Sequence, residues 1–482
     1  MRILLVYPNV ADHPKDISFG LAAISARLKQ AGHTPALLDN TFGLEARAVP
    51  RRVAAFRPEL VGVTVASNDF DRAVELARAI RAGCAAPIVA GGFHATVAPE
   101  DLLALDCFDA VAVGEGDASF LELADSIAAG GMNRSIPGLC FRVDGEIVRN
   151  PLRRLHQDPG TLPFPDRELF DYPRYIRHNR GLATFLSTYG CPYPCSYCIN
   201  HQLVRMFGAA GYVRHKPLDY LLAEVQEVVE RYGVRGIEFY DETFTLDRPR
   251  VLAFCERYAR ELRLPFAINA RASTLDAELA GHLRDAGCHR ILIGIECGNP
   301  RLRAEILRRP ETDEEIVRAF EVAHRAGLDT QAYNMVGLPF ETEEDIRRTI
   351  ALNRRCQPEY VTVAMFNAYK GTDLYRVCAE HGWLRDQRAG NYFRETNVRH
   401  PHIPLRRLRR IRDRFGYEVF RPTRPVRAVV DLLDKKLLAL PLYHATRSRL
   451  IRAGARRWLG RRRSGRRGLP TACPASGQPH PS

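Results

Sequence analysis

Two tracts of this 482-residue chain alternate short apolar runs with amphipathic helical patterns, and no other feature of the sequence narrows the possible folds as far. In the first tract, strands are expected over 3–7, 35–38, 60–66, 87–90 and 110–113, with helices between them such as 21–30 and 71–82. Strict alternation implies a parallel, doubly wound α/β sheet, which takes its ligands at the carboxyl ends of the strands. In the second, strands are expected over 183–187, 236–240, 266–269, 290–295, 330–336 and 360–366, each followed by a helix. Six such units make a partial barrel whose function gathers on the loops after the strands. The expected organisation is a first domain over 1–150, a linker over 151–180, a barrel over 181–385 and a mainly helical extension over 386–482. Between the first domain and the linker, 138–151 alternates around Asp144-Gly145, a two-residue hairpin signal.

The loop after the first barrel strand reads STYGCPYPCSYCIN and carries Cys191, Cys195 and Cys198. Thiolates at this spacing can converge on one iron-sulfur cluster, and three of them leave one iron of a four-iron cluster without a protein ligand. A structural zinc site is the competing reading. Zinc ordinarily takes four protein ligands, and no fourth Cys or His follows at a useful spacing, His201 merely adjoining the run.

The other strand ends are polar or glycine-rich. In the first tract they are Pro8-Asn9, Ser67-Asn68, Gly91-Gly92 and Gly114-Glu115-Gly116; glycine pairs there let a backbone approach a flat or extended ligand, or simply make tight turns. In the second they are Tyr240-Asp241-Glu242, Asn269 with Arg271, Glu296 within GIECG, and Gly337-Leu338-Pro339 with Glu341 and Thr342. Carboxylates after the second strand suit an ammonium group, and the Arg271 guanidinium suits a carboxylate. Glu341 and Thr342 also read as helix caps.

The C-x-x-x-C-x-x-C run, with Tyr197 before its last cysteine, resembles the signature of the radical S-adenosylmethionine (SAM) enzymes. Gly337-Leu338-Pro339 and Gly371-Thr372-Asp373-Leu374-Tyr375 are similar to further elements of that family, with Phe340 for a glycine and Lys370 for a proline. The resemblance implies an open (β/α)6 barrel holding a 4Fe-4S cluster on Cys191, Cys195 and Cys198. The open iron would chelate SAM, whose reductive cleavage gives a 5'-deoxyadenosyl radical, with Tyr197, Asp241, Glu242, Asn269, Arg271 and Glu296 about the SAM. The order of ISFGLAAISARLKQAGH, VTVAS, AGGFHAT and VGEGD resembles the Rossmann-like (flavodoxin-like) cobalamin-binding domain that precedes the barrel in many of these enzymes. It implies corrin or nucleotide-tail contacts from Ser67, Gly91, Gly92, His94 and the Gly114-Glu115-Gly116 loop. A D-x-H-x-x-G motif is absent, Asp12-His13-Pro14 having neither the spacing nor the glycine, so no histidine is expected below the cobalt. A nucleotide or flavin would suit the same topology. Together these features imply a cobalamin-dependent methyltransferase acting on an unactivated carbon, with a cobalamin-binding cyclase or rearranging enzyme as the alternative. A membrane- or nucleic-acid-associated cobalamin-binding module with a structural cluster is the alternative from another class. A small-molecule or lipid substrate and an electron donor such as flavodoxin or ferredoxin are the expected partners.

The formal charge of +14 is concentrated at one end: from residue 401 onward about 21 Lys and Arg face about 4 Asp and Glu. The body carries no general polyanion-binding charge, which argues against nucleic acid. The basic, amphipathic C-terminal region, with Trp458, suits peripheral contact with an anionic membrane surface, or else a helix packed on the barrel before a solvated end. The 12 cysteines form no even-spaced framework, MRILLVYPNV reads as a first strand, and no apolar run approaches the ~20 residues of a membrane span, so a cytoplasmic setting is expected. Cys84, Cys107 and Cys140 are not expected to build a second cluster; Cys255, Cys288 and Cys356 read as small core residues.

Overall fold

The computed structural model describes residues 1–10, 16–386, 391–393 and 395–437. One compact unit spans Met1–Phe415 and a second begins at Gly416.

The first unit opens with a seven-stranded sheet: β1 (Arg2–Tyr7), β2 (Thr34–Asp39), β3 (Leu60–Thr64), β4 (Ile88–Gly91), β5 (Ala110–Ala112), β6 (Leu139–Val143) and β7 (Glu146–Arg149), in spatial order β2-β1-β3-β4-β5-β6-β7. The first five strands are parallel, as the alternation predicts. The hairpin β6–β7 then joins antiparallel at the edge, so the sheet is mixed and not wholly parallel. Its turn residues Asp144 and Gly145 both have positive φ, 50° and 88°, the twist that a two-residue hairpin needs. Period-2 alternation sends Ile3 and Leu5 into one apolar cluster and Leu4 and Val6 into another, so both faces of the sheet are covered. Strand order reverses beside β1, and ligands of such sheets lie where it does.

The barrel strands are β8 (Leu182–Phe185), β11 (Gly236–Phe239), β12 (Phe266–Ala270), β13 (Cys288–Glu296), β14 (Asp329–Val336) and β15 (Tyr360–Met365); a short antiparallel pair, β9 (Thr188–Tyr189) with β10 (Arg214–His215), sits beside them. Neighbours run β8-β11-β12-β13-β14-β15, all parallel, and β8 does not pair with β15, so the barrel is open. On β11, Ile237 and Phe239 pack outward among the helices, which leaves Glu238 and then Tyr240 on the inner side.

The connection between the sheets is tied to both of them. Ser25 donates to Asp166 at 2.6 Å and the Tyr175 hydroxyl to Asp39 at 2.6 Å, while Arg167 donates to buried Glu224 at 2.9 Å. The chain after residue 384 folds back onto the barrel. Leu384 bridges to Val398, Asn397 exchanges hydrogen bonds with Asn367 and Ala368, and His400 meets the carbonyl of Leu338 at 2.9 Å. The second unit contains the end of a helix that begins at Leu405 and the helix Pro425–Leu437. No helix among the described residues is long and apolar enough to cross a membrane.

Candidate cofactor and active site

The cysteine loop leaves β8 under tight steric control. Gly190, one residue before Cys191, has φ 81°, and a Cβ there would meet the carbonyl oxygen of Tyr212 at 2.7 Å. Ser187 at the loop's start donates to Asp241 through both its backbone N–H, at 3.0 Å, and its hydroxyl, at 2.6 Å. Further on, the Ser196 N–H binds the carbonyl of Leu307 at 3.2 Å, and the Ser196 carbonyl accepts from the N–H of Leu374 at 3.1 Å. The loop is thereby clamped between the end of β11, the helix end at Leu307 and the Gly371–Tyr375 element. Cys198 then caps the helix Ile199–Phe207.

Donors point at the sulfurs. Arg271 Nη1 lies 3.4 Å from Cys195 Sγ, with its guanidinium 3.8 Å above the Tyr193 ring, and Asn200 Nδ2 lies 3.5 Å from Cys198 Sγ. Burial pushes the Cys198 thiol up to about 12, aided by the nearby Glu242 carboxylate, and raises Cys191 as well. Coordination to iron would overcome that penalty, since a metal deprotonates its thiol outright. Three thiols with donors aimed at two of them suit the corners of a four-iron cluster, where each thiolate would bind its own iron.

Around the cysteines the structure redistributes the expected SAM contacts. Glu242 opens to solvent within the barrel mouth near Cys191 and Cys198; burial of its carboxyl by the surrounding protein holds it above the usual range, and a hydrogen bond from Asn200 works the other way. Asp241, in contrast, is fully buried and spent on Ser187, so it shapes the cluster loop and is not available to an ammonium group. Asn269 gives its amide to the carbonyl of Asp241 at 3.0 Å. Arg271 pairs with Glu311, Nε to Oε1 at 2.8 Å, so it meets a carboxylate of the protein and not the expected one of a ligand. Glu296 adopts φ 62° at the end of β13 and lies 3.6 Å from Arg309, which also reaches the Tyr197 hydroxyl at 3.3 Å and the carbonyl of Gly294 at 2.8 Å.

Arg309 and Glu311 carry no motif and sequence reasoning did not select them, although each stands within a few residues of the Arg-rich helix end after GIECG. Both are buried, yet Arg309 Nε and Glu311 Oε2 have no hydrogen-bond partner. An orphaned donor and an orphaned acceptor flanking the cluster loop match the carboxylate and ammonium of an amino-acid ligand such as SAM.

At the first domain's strand ends, a Cβ on Gly91 or Gly116 would come no nearer than 3.8 Å to Ala112, and Gly91 has no other neighbour within 4 Å. Gly92 and Gly114 have φ 97° and 87°; a Cβ would collide with Thr64 and Val65 in the first case and with Phe207 in the second. Phe93, which follows the glycines, is 58% exposed, an aromatic face at the ligand-binding edge. This low, partly apolar floor fits a flat macrocycle. Two assignments change. Glu115 forms a bidentate pair with Arg214, at 2.6 and 3.0 Å, and accepts from the N–H of His156, which makes it a tie between the sheets and not a cofactor contact. His94 is buried with both ring nitrogens engaged, by Ser67 at 3.0 Å and Asp101 at 3.3 Å, so it does not present a free nitrogen to a corrin.

The carboxyl-end faces of the two sheets meet. Asp16, from the loop after β1, lies beside Tyr240 and Thr184 of the barrel, and its backbone carbonyl accepts from Tyr7 at 3.1 Å. Burial raises the Asp16 carboxyl to about 6 and that of Glu238, deeper in the barrel, to about 7. The helix that follows the cysteine loop reaches the glycine floor, Phe207 standing against Gly114.

Comparison with known proteins matches residues 16–124 to the B12 binding domain and residues 185–352 to the radical SAM superfamily. The chain is 27% identical over 396 residues to an uncharacterized methyltransferase of Pyrococcus horikoshii, covering 80% of this chain and 84% of that protein. It is 25% identical over 396 residues to the anaerobic magnesium-protoporphyrin IX monomethyl ester cyclase of Rubrivivax gelatinosus, covering 78% and 70%. Among solved structures, the radical S-adenosylmethionine methyltransferase TsrM of Kitasatospora setae, with cobalamin and a 4Fe-4S cluster bound, superposes with a TM-score of 0.67 at 22% identity, over 80% of this chain and 76% of that one. Cysteine loop, orphaned polar pair, glycine floor and both domain matches agree, and the chain carries a B12-binding domain ahead of a radical SAM domain.

Proposed function

We propose that this protein is a cobalamin-dependent radical SAM methyltransferase that methylates an unactivated carbon of a small molecule. The observation that carries the reading is the approach of the two cofactor-binding edges, where Phe207, from the helix after the cysteine loop, stands against Gly114 and Lys370 meets Asp101. When bound, cluster and SAM supply a hydrogen-abstracting 5'-deoxyadenosyl radical, and cobalamin supplies the methyl group. The chain's own residues do the rest. Cys191, Cys195 and Cys198 hold the cluster, Arg271 and Asn200 orient two of those sulfurs, and Glu242, Glu296, Arg309 and Glu311 offer complementary charge to SAM. Ser67, Gly91, Gly92, Gly114 and Gly116 support the corrin side, while Tyr240 and Glu238 line the space between. A flavodoxin or ferredoxin is the fitting electron donor.

The test is product analysis of the anaerobic reaction. A methyltransferase forms 5'-deoxyadenosine and S-adenosylhomocysteine together. Deoxyadenosine without homocysteine product favours the second reading, a cyclase, which the Rubrivivax relative supports, and a reduced cluster that never cleaves SAM sinks both.

The helix Pro425–Leu437 supports a peripheral membrane role. Val426, Val429, Val430 and Leu433 form one stripe at helical spacing and are 46–79% exposed, and the strongly basic end of the chain follows. Val430→Asp should reduce binding to anionic vesicles severalfold in cosedimentation; equal binding of the variant refutes the contact.

A further inference from the structure

Two neighbouring strand ends, the loop after β3 that bears Ser67 and the helix Phe93–Val97 after β4 that bears His94, are held from the barrel side through a chain of four side chains. His94 is buried and donates or accepts at both nitrogens: Nδ1 lies 3.0 Å from Ser67 Oγ and Nε2 lies 3.3 Å from Asp101 Oδ2. Asp101 in turn accepts from Lys370 Nζ at 2.6 Å. Lys370 belongs to the Gly371–Tyr375 element whose N-terminal neighbour is proline in the family pattern, so the cation is a departure of this chain. The two loops also touch directly: Gly371 has φ 84°, and a Cβ there would come within 2.8 Å of Val97, the last residue of the helix Phe93–Val97.

The direction of the hydrogen bonds follows from the carboxylate. The hydrogen bond from His94, with that from Lys370, holds the Asp101 carboxyl down at about 2 against the effect of burial, so near neutral pH it only accepts. In the neutral imidazole the proton then sits on Nε2, which leaves Nδ1 as the acceptor, and the Ser67 hydroxyl must donate to it. With its single proton committed inward, Ser67 turns only oxygen lone pairs toward the ligand-binding edge. Ser67 is half-buried at that edge.

We propose that Lys370, Asp101 and His94 are positioning residues that fix Ser67 as a hydrogen-bond acceptor for cobalamin, and that they lock the cobalamin-binding loop to the barrel. The inference rests on the cobalamin reading. Its consequence is that a charge on the barrel controls how the first domain grips its cofactor, with no atom of that charge touching the corrin. The ammonium of Lys370 is compact and partly exposed, so removing it perturbs the relay and not the core.

The test titrates cobalamin into the full-length, cluster-reconstituted protein, with visible absorption for affinity and electron paramagnetic resonance of the cob(II)alamin form for its environment. Lys370→Met and Asp101→Asn should each weaken binding about tenfold and alter the resonance, and Lys370→Arg should restore both. Because the relay acts as a unit, Ser67→Ala combined with Lys370→Met should cost little more than either alone. Hydrogen exchange of amides 93–98 without cobalamin should quicken in Lys370→Met while cluster absorbance stays unchanged. Wild-type affinity and resonance in Lys370→Met, or additive losses in the double variant, overturn the relay. Failure of the wild type to bind any corrinoid overturns the cobalamin reading and the proposal with it.

Discussion

A single carboxylate far from the chemistry shows how individual residues secure this barrel. Glu359, just before β15, accepts from the Thr330 N–H at 2.8 Å, the Thr330 hydroxyl at 3.1 Å and His324 at 3.3 Å, at the end of the barrel away from the cysteines. Burial alone would raise its carboxyl; the hydrogen bonds more than offset this and bring it down to about 2. A folded-state value below the unfolded one stabilises the protein above the unfolded value of about 4.3, and the benefit disappears as pH falls from about 5 toward 2. It amounts to on the order of 2 kcal/mol. Urea denaturation of the full chain at pH 7 and pH 3.5 checks this: Glu359→Gln should lower stability at pH 7 and flatten the dependence over that interval. The cluster cysteines were legible at this scale because their spacing is local. Asp241 and Glu242 were not separable, since adjacent residues at a strand end point different ways and only the fold shows that Ser187 claims the first. Arg309 and Glu311 stayed hidden because their meaning lies in an unmet hydrogen bond, which no local pattern records.

At the scale of elements, the strands were readable almost throughout, because both sheets are covered by helices and their strands appear as continuous apolar runs between amphipathic segments. The connections between sheets were not. The Glu115–Arg214 pair joins residues 99 apart in sequence, and Lys370–Asp101 joins residues 269 apart. Glu115 sits in a glycine loop that resembles a cofactor contact, and only the bidentate geometry reveals its other role. Glu115→Gln leaves the nearly buried Arg214 with a weaker partner and should cost about 1–2 kcal/mol. Limited trypsinolysis should then cut the 151–180 connection faster than in the wild type. Equal cleavage rates would mean that the pair does not hold the sheets together.

Taken whole, the molecule places two cofactor edges face to face. Its first domain supplies a floor of small residues and one exposed aromatic, and its barrel supplies three thiols with donors aimed at them. The chain after Leu384 returns to pair with the end of β15 and with the Leu338 loop; hydrogen bonds of this kind leave no periodicity to read. The central claim is that one chain carries both a cluster on Cys191, Cys195 and Cys198 and a corrinoid opposite it. Iron and cobalt content of the anaerobically reconstituted protein tests this most directly. The account predicts about four iron atoms and about one cobalt per chain in the wild type, with Cys195→Ala losing the iron and keeping the cobalt. A wild type that takes up iron but no corrinoid, or a Cys195→Ala variant that retains a full cluster, would contradict it.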